Sequence, residues 1–97
     1  MLQHVVLLKP KEQTGVNELD AVYAQIHGMQ DAIPGIVKVV TGKNLSSFNK
    51  GYEQGFIITF SNQELFARYA SHPAHQPVSQ ELQRICESII DFDLVEA

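Results

Sequence analysis

Ninety-seven residues with 44% hydrophobic and 19% charged side chains form one small domain, 1–97, with enough apolar content for a single core. The formal net charge of -4 and the scatter of the seven Lys and Arg residues argue against nucleic acid as a partner, since phosphate recognition needs clustered cations. No apolar run approaches the roughly 20 residues of a membrane span, and the single Cys86 allows no intrachain disulfide, which fits a cytoplasmic protein.

The opening run Met1-Leu2-Gln3-His4-Val5-Val6-Leu7-Leu8 has no basic leader or small-residue cleavage site and is stopped by Pro10, so it reads as a first strand, not a signal peptide. Leu2, His4, Val6 and Leu8 fall on one face, while Val5 and Leu7 make the other face apolar as well. From Val16 the period changes. Leu19, Val22, Tyr23, Ile26, Gln30 and Ile33 recur at three- and four-residue steps, which predicts a helix of about four turns closed by Ile33-Pro34-Gly35. Ile36 to Thr41 forms a second strand. The polar loop 44–53, carrying Phe48 and Tyr52, is long for a hairpin and either edges a pocket or lies over a partner copy. Phe56 to Phe60 is the third strand. Ser61-Asn62-Gln63-Glu64 has the spacing of a capping box and launches a short helix with Leu65, Phe66 and Tyr69 inward, interrupted by Pro73. Pro77 suits the first turn of a further helix. Its apolar stripe runs Val78, Leu82, Ile85, Ile89, with Cys86 inert on the same helix. Ile90, Phe92 and Leu94 then alternate with Asp91 and Asp93 in a last strand with one wetter face.

This order, β-α-β-β-α-α-β, is the split β-α-β or ferredoxin-like arrangement of α+β proteins, with a four-stranded antiparallel sheet. Helices then cover one sheet face only. Because the first three strands are apolar on both faces, the uncovered face is expected to pair with a second copy of the chain as a two-fold homodimer.

Chemistry concentrates at Tyr69-Ala70-Ser71-His72-Pro73-Ala74-His75. Imidazole titrates near neutrality and suits proton abstraction, and a phenol can donate to a developing oxyanion, so His75 is a candidate base and Tyr69 a candidate oxyanion donor, with His4 positioning the ligand. The competing reading is structural: histidines beside a proline junction satisfy loose carbonyls, and a tyrosine on an apolar stripe packs in the core. No Cys or carboxylate stands at metal-ligand spacing from His72 and His75, so no metal and no cofactor is expected. Asp91, Asp93 and Glu96 read as solvated edge charges.

Several stretches in order, Gln3-His4-Val5-Val6-Leu7-Leu8-Lys9, Ile33-Pro34-Gly35-Ile36, Gly42-Lys43-Asn44, Gly51-Tyr52, Phe60-Ser61 and His72-Pro73-Ala74-His75, resemble the stress-responsive A/B barrel (Dabb) family. The resemblance implies a ferredoxin-like protomer paired into a dimeric α+β barrel. It also implies a stress-related role, most members having no known biochemical function. One plant member is a cofactor-free cyclase that closes a linear polyketide by intramolecular aldol condensation. By that likeness His75, Tyr69 and His4 are catalytic candidates, and a small apolar or carbonyl-bearing ligand lies between sheet and helices against His4, Tyr23, Ile26, Gln54, Phe66, Tyr69, His72 and His75. Gln54 stands where the cyclase has a histidine, and Ile26 where it has a tyrosine.

Overall fold

A computed structural model describes residues 1–97 and shows β1 (Leu2–Pro10), α1 (Val16–Ala32), β2 (Ile36–Lys43), β3 (Gln54–Phe60), α2 (Gln63–Ala67), α3 (His75–Ile85) and β4 (Cys86–Val95). The strands form one antiparallel sheet in the order β2-β3-β1-β4. This is the ferredoxin-like arrangement. No helix is long and apolar enough to cross a membrane.

The period-two face of β1 decides where the core lies. Leu2, His4, Val6 and Leu8 are buried beneath the helices, and their register partners on β3 are Phe60, Ile58, Phe56 and Gln54. α1 delivers Val22, Ile26 and Met29 onto this layer, followed by Ile33 at its cap. Gln30, expected on the buried stripe, is exposed instead and its amide donates to the Val37 carbonyl. Met29 takes the inward place because the stripe steps Val22, Ile26, Met29, Ile33.

Local signals explain the element ends. The Glu18 carboxylate accepts the Gly15 N–H at 3.0 Å, tying the first turn of α1. Arg84 of α3 donates to Glu18 at 2.9 Å and to Glu81 at 2.7 Å, linking the two long helices on their wet side. Between α1 and β2, Gly35 takes a φ of +97°, and a Cβ there would stand 2.6 Å from the Leu65 Cβ. Both the left-handed backbone and the close approach require glycine. α2 is capped by Asn62, whose side chain accepts the Leu65 N–H at 2.9 Å, so the cap lies one residue later than the Ser61 spacing suggests.

The largest departure from the sequence pattern is at the end of α3. The helix stops at Ile85 and β4 begins at Cys86, so Ile89 belongs to the strand and Cys86 is buried at the strand's start. Apolar residues four apart fit a helix, but pairing with β1 over nine residues satisfies far more backbone.

The open face of the sheet carries Val5, Leu7, Val40, Ile57, Ile90, Phe92 and Leu94, by the register of the three strand pairs. Phe92 remains 42% exposed and Leu94 56%, so this apolar surface has no cover within the chain. The loop 44–53 is held by Asn44, whose side chain donates to the Tyr52 carbonyl, and Tyr52 bonds the Ser88 hydroxyl at 2.8 Å. Phe48 at its tip is exposed.

Candidate functional site

Strand alternation turns Asp91 and Asp93 toward the helix layer, because the register pairs them with Val6 and His4 on the covered face of β1. Both residues stay exposed there. A cavity of about 360 Å³ remains between the sheet and α3, within the size range of small-molecule sites. Its floor is His4, Val6, Phe56, Ile89 and Asp91; its wall is Tyr69, His75, Val78, Ser79, Leu82 and Gln83.

The three chemically capable rings stand in a row. The centroids of His4 and Tyr69 are 5.4 Å apart, and those of Tyr69 and His75 are 4.5 Å apart, both pairs edge to face. Phe60 and Phe66 buttress Tyr69 from behind, at 5.2 and 6.2 Å. Phe66 also packs on His4 at 5.4 Å. Phe66 thus supports the site without lining it.

Two of the three rings, His75 and Tyr69, have a defined proton state. His75 directs Nδ1 to the Ala70 carbonyl at 3.1 Å; that oxygen can only accept, so Nδ1 carries the hydrogen and Nε2 the lone pair. Burial holds the His75 imidazole below its ordinary value, with the nearby His4 adding to the effect against the Ala70 bond. Burial pushes the Tyr69 phenol well above its usual range, keeping it a hydrogen donor. His4 Nδ1 donates to the Asp93 carboxylate at 2.6 Å, which leaves Nε2 as the ring nitrogen without a partner.

No sealed side-chain nitrogen or oxygen lacks a hydrogen-bond partner. The Tyr69 hydroxyl and His4 Nε2 have no partner in the chain, although their residues are only 4% and 8% exposed. Both therefore meet open space, and both residues line this cavity. Polar atoms left unpaired in such a neighbourhood call for an explanation.

A lowered His75 value has a stability consequence. The unfolded chain binds a proton at His75 near pH 6.5, whereas the folded chain resists it. This contribution is fully present above about pH 6.5 and is lost as pH falls from there through the folded-state value. The melting temperature of the native chain is expected to fall more steeply between pH 7 and pH 5 than that of His75→Gln, by thermal scans in matched buffers. Parallel curves would place His75 in an unperturbed environment.

Other expected contacts lie elsewhere. His72 accepts the Ala74 N–H at 3.0 Å and shapes the turn before α3, facing Pro34 and Arg68 instead of the cavity. Ile26 is fully buried in the core. The Tyr23 hydroxyl donates to the Gln54 side chain at 2.8 Å, near Gly42 on the far side of the sheet's helix layer, and burial pushes that phenol up to about 12. Neither Tyr23 nor Gln54 reaches the cavity. Glu96 accepts from Gln3 at 2.9 Å. Asp93 is the residue that sequence reasoning missed: its alternation with Phe92 marks a wet face, but only the β1–β4 register puts it on His4. No group of three or more His, Cys, Asp and Glu side chains converges on a metal-sized space.

The model of the Stress responsive A/B Barrel Domain family matches residues 2–96. The chain is 26% identical to a stress-response A/B barrel domain-containing protein of Arabidopsis thaliana, over 94% of this chain and 82% of that protein. Among solved structures it is similar to a dimeric ferredoxin-like protein of unknown function from Jannaschia sp. CCS1. That likeness has a TM-score of 0.88 and 27% identity over 98% of both chains. A hydroxynitrile lyase from Passiflora edulis shares the fold with a TM-score of 0.90, at 19% identity over 99% of this chain and 93% of that one.

Proposed function

Because the chain belongs to the stress responsive A/B barrel domain family, we propose that it is a homodimer that binds a small apolar or carbonyl-bearing molecule between sheet and helices. The observation that carries the ligand is the pair of unpartnered polar atoms, the Tyr69 hydroxyl and His4 Nε2, opening on one largely apolar cavity. A carbonyl oxygen would accept from Tyr69 while the body of the ligand lies on Val6, Phe56, Val78 and Leu82. Dimerisation is supported by the uncovered apolar sheet face and by the dimeric description of the Jannaschia relative.

A second reading, a cofactor-independent cyclase or isomerase type of enzyme, is favoured by the split proton affinities of His75 and Tyr69. A neutral His75 Nε2 is free to remove a proton from carbon next to a carbonyl. A phenol that stays protonated beside it, at 4.5 Å between rings, donates to the enolate oxygen that results. His4, held by Asp93, steadies a second polar group of the ligand through Nε2. The fold is shared with an enzyme, the passion-fruit hydroxynitrile lyase.

Titration with acetophenone, followed by the ring signals of His4 and His75 in NMR, tests the first reading. Binding is expected to shift both rings. Tyr69→Phe keeps the packing and removes one neutral hydrogen bond, so affinity should fall by roughly threefold to tenfold, about 0.5–1.5 kcal/mol. Unmoved histidine signals across a panel of neutral aryl ketones and phenols would remove the cavity as a binding site. Turnover of an enolisable ketone, measured as deuterium exchange at its α-carbon and lost in His75→Ala, decides for the enzyme.

A further inference from the structure

The charges around the cavity restrict what can enter it. Asp91 lines the floor on the covered face of β4, and Asp93, two residues along the same face, is engaged by His4. None of the seven Lys and Arg residues lines the cavity. Lys9, Arg68 and Arg84 are paired with Glu87, Glu64, and Glu18 with Glu81. Lys38 and Lys43 sit on β2, the opposite edge of the sheet. Burial lowers His75, so it brings no compensating charge at pH 7, and His4, the other imidazole of the lining, is already committed to the Asp93 carboxylate.

We infer that the site selects by charge: its ligand is uncharged or cationic, with Asp91 as the residue that rejects carboxylates and phosphates and accepts an amine or amidine. This rests on the cavity being a binding site, as proposed above. An anion brought among these groups loses hydration and meets the Asp91 carboxylate with no guanidinium or ammonium to replace the lost water. A cation gains a charge-assisted hydrogen bond at the same place. A neutral carbonyl compound uses the Tyr69 hydroxyl and feels Asp91 only weakly. Aryl ketones, amides and amines are the class that fits; free aryl acids are not.

Benzamide, benzamidinium and benzoate share one planar shape and differ in charge, so they separate fit from electrostatics. Each is titrated into the intact protein at pH 7 and low salt, with the His4 and His75 ring signals as readout. Benzamide and benzamidinium are expected to bind at least about tenfold more tightly than benzoate. Asp91→Asn should erase the advantage of benzamidinium over benzamide and bring benzoate to within about threefold of benzamide. Benzoate binding as well as benzamide in the native protein overturns the charge selection while leaving the cavity reading intact. A preference that persists unchanged in Asp91→Asn assigns it to the overall charge of -4 and overturns the role of Asp91. Failure of all three to move either histidine, with acetophenone also silent, overturns the cavity reading together with the inference.

Discussion

Phe60→Ala is expected to cost about 3–5 kcal/mol of folding free energy, the range for emptying a buried aromatic site. Phe60 is fully buried and ends β3, where its register partners are Leu2 on β1 and Ile36 on β2. Its ring touches Phe66 at 5.2 Å and Tyr69 at 5.2 Å. The space left behind can be filled only by moving the short helix α2 and the Tyr69 segment inward, and Gly35 already stands hard against Leu65 of that helix. For a chain of this length the midpoint of thermal unfolding should drop by roughly 15–30 °C, measured by circular dichroism. At temperatures where the variant is still folded, acetophenone binding should weaken too, because Tyr69 loses its backing. A drop of under about 1 kcal/mol would mean that the aromatic cluster is not the centre of the core.

Phe92→Asp should abolish self-association while leaving the protomer folded. Phe92 stands on the open face among Val5, Ile90 and Leu94, pairs with Val5 across β1, and is 42% exposed in the single chain. A carboxylate there costs the protomer little. Buried at the centre of a sheet-to-sheet contact it would be an unpaired charge in an apolar layer, and the dissociation constant should rise at least about a hundredfold. Sedimentation velocity on native protein and variant, across roughly 1–100 µM, reads the change directly. A native chain that stays monomeric over that range would retire the dimer, and a variant that unfolds would show that Phe92 belongs to the protomer's own core.

Much of the architecture is legible in the residues. Alternation in β1, the proline stops at Pro10 and Pro34, and the change of period at Val16 give the elements in order, because each reports on backbone geometry within a few residues. The misplacements have local causes of the same kind. Met29 and Gln30 differ by one step on a helix of 3.6 residues per turn, so an apolar stripe leaves such neighbours ambiguous. Ser61 and Asn62 are both good caps, and only the backbone turn after β3 selects Asn62. Ile89 fits a helical stripe as well as a strand, and the hydrogen-bonding edge of β1 decides for the strand.

The site divides along the same line. Tyr69 and His75 are close in the chain, and a turn between them brings their rings to 4.5 Å, so their proximity was legible from spacing. His4 and Asp93 are 89 residues apart and meet at 2.6 Å. By itself the sequence determined the order of elements, the apolar excess on the strands and the wet face of the last one, since these follow from side-chain periods of 2 and 3.6. Only the tertiary structure decided which way that wet face turns. Antiparallel pairing of β4 with β1 sets the register, the register puts Asp91 and Asp93 on the helix side of the sheet, and both stay exposed there. A period of two tells that two faces differ; which face meets the core depends on partners far away in the chain.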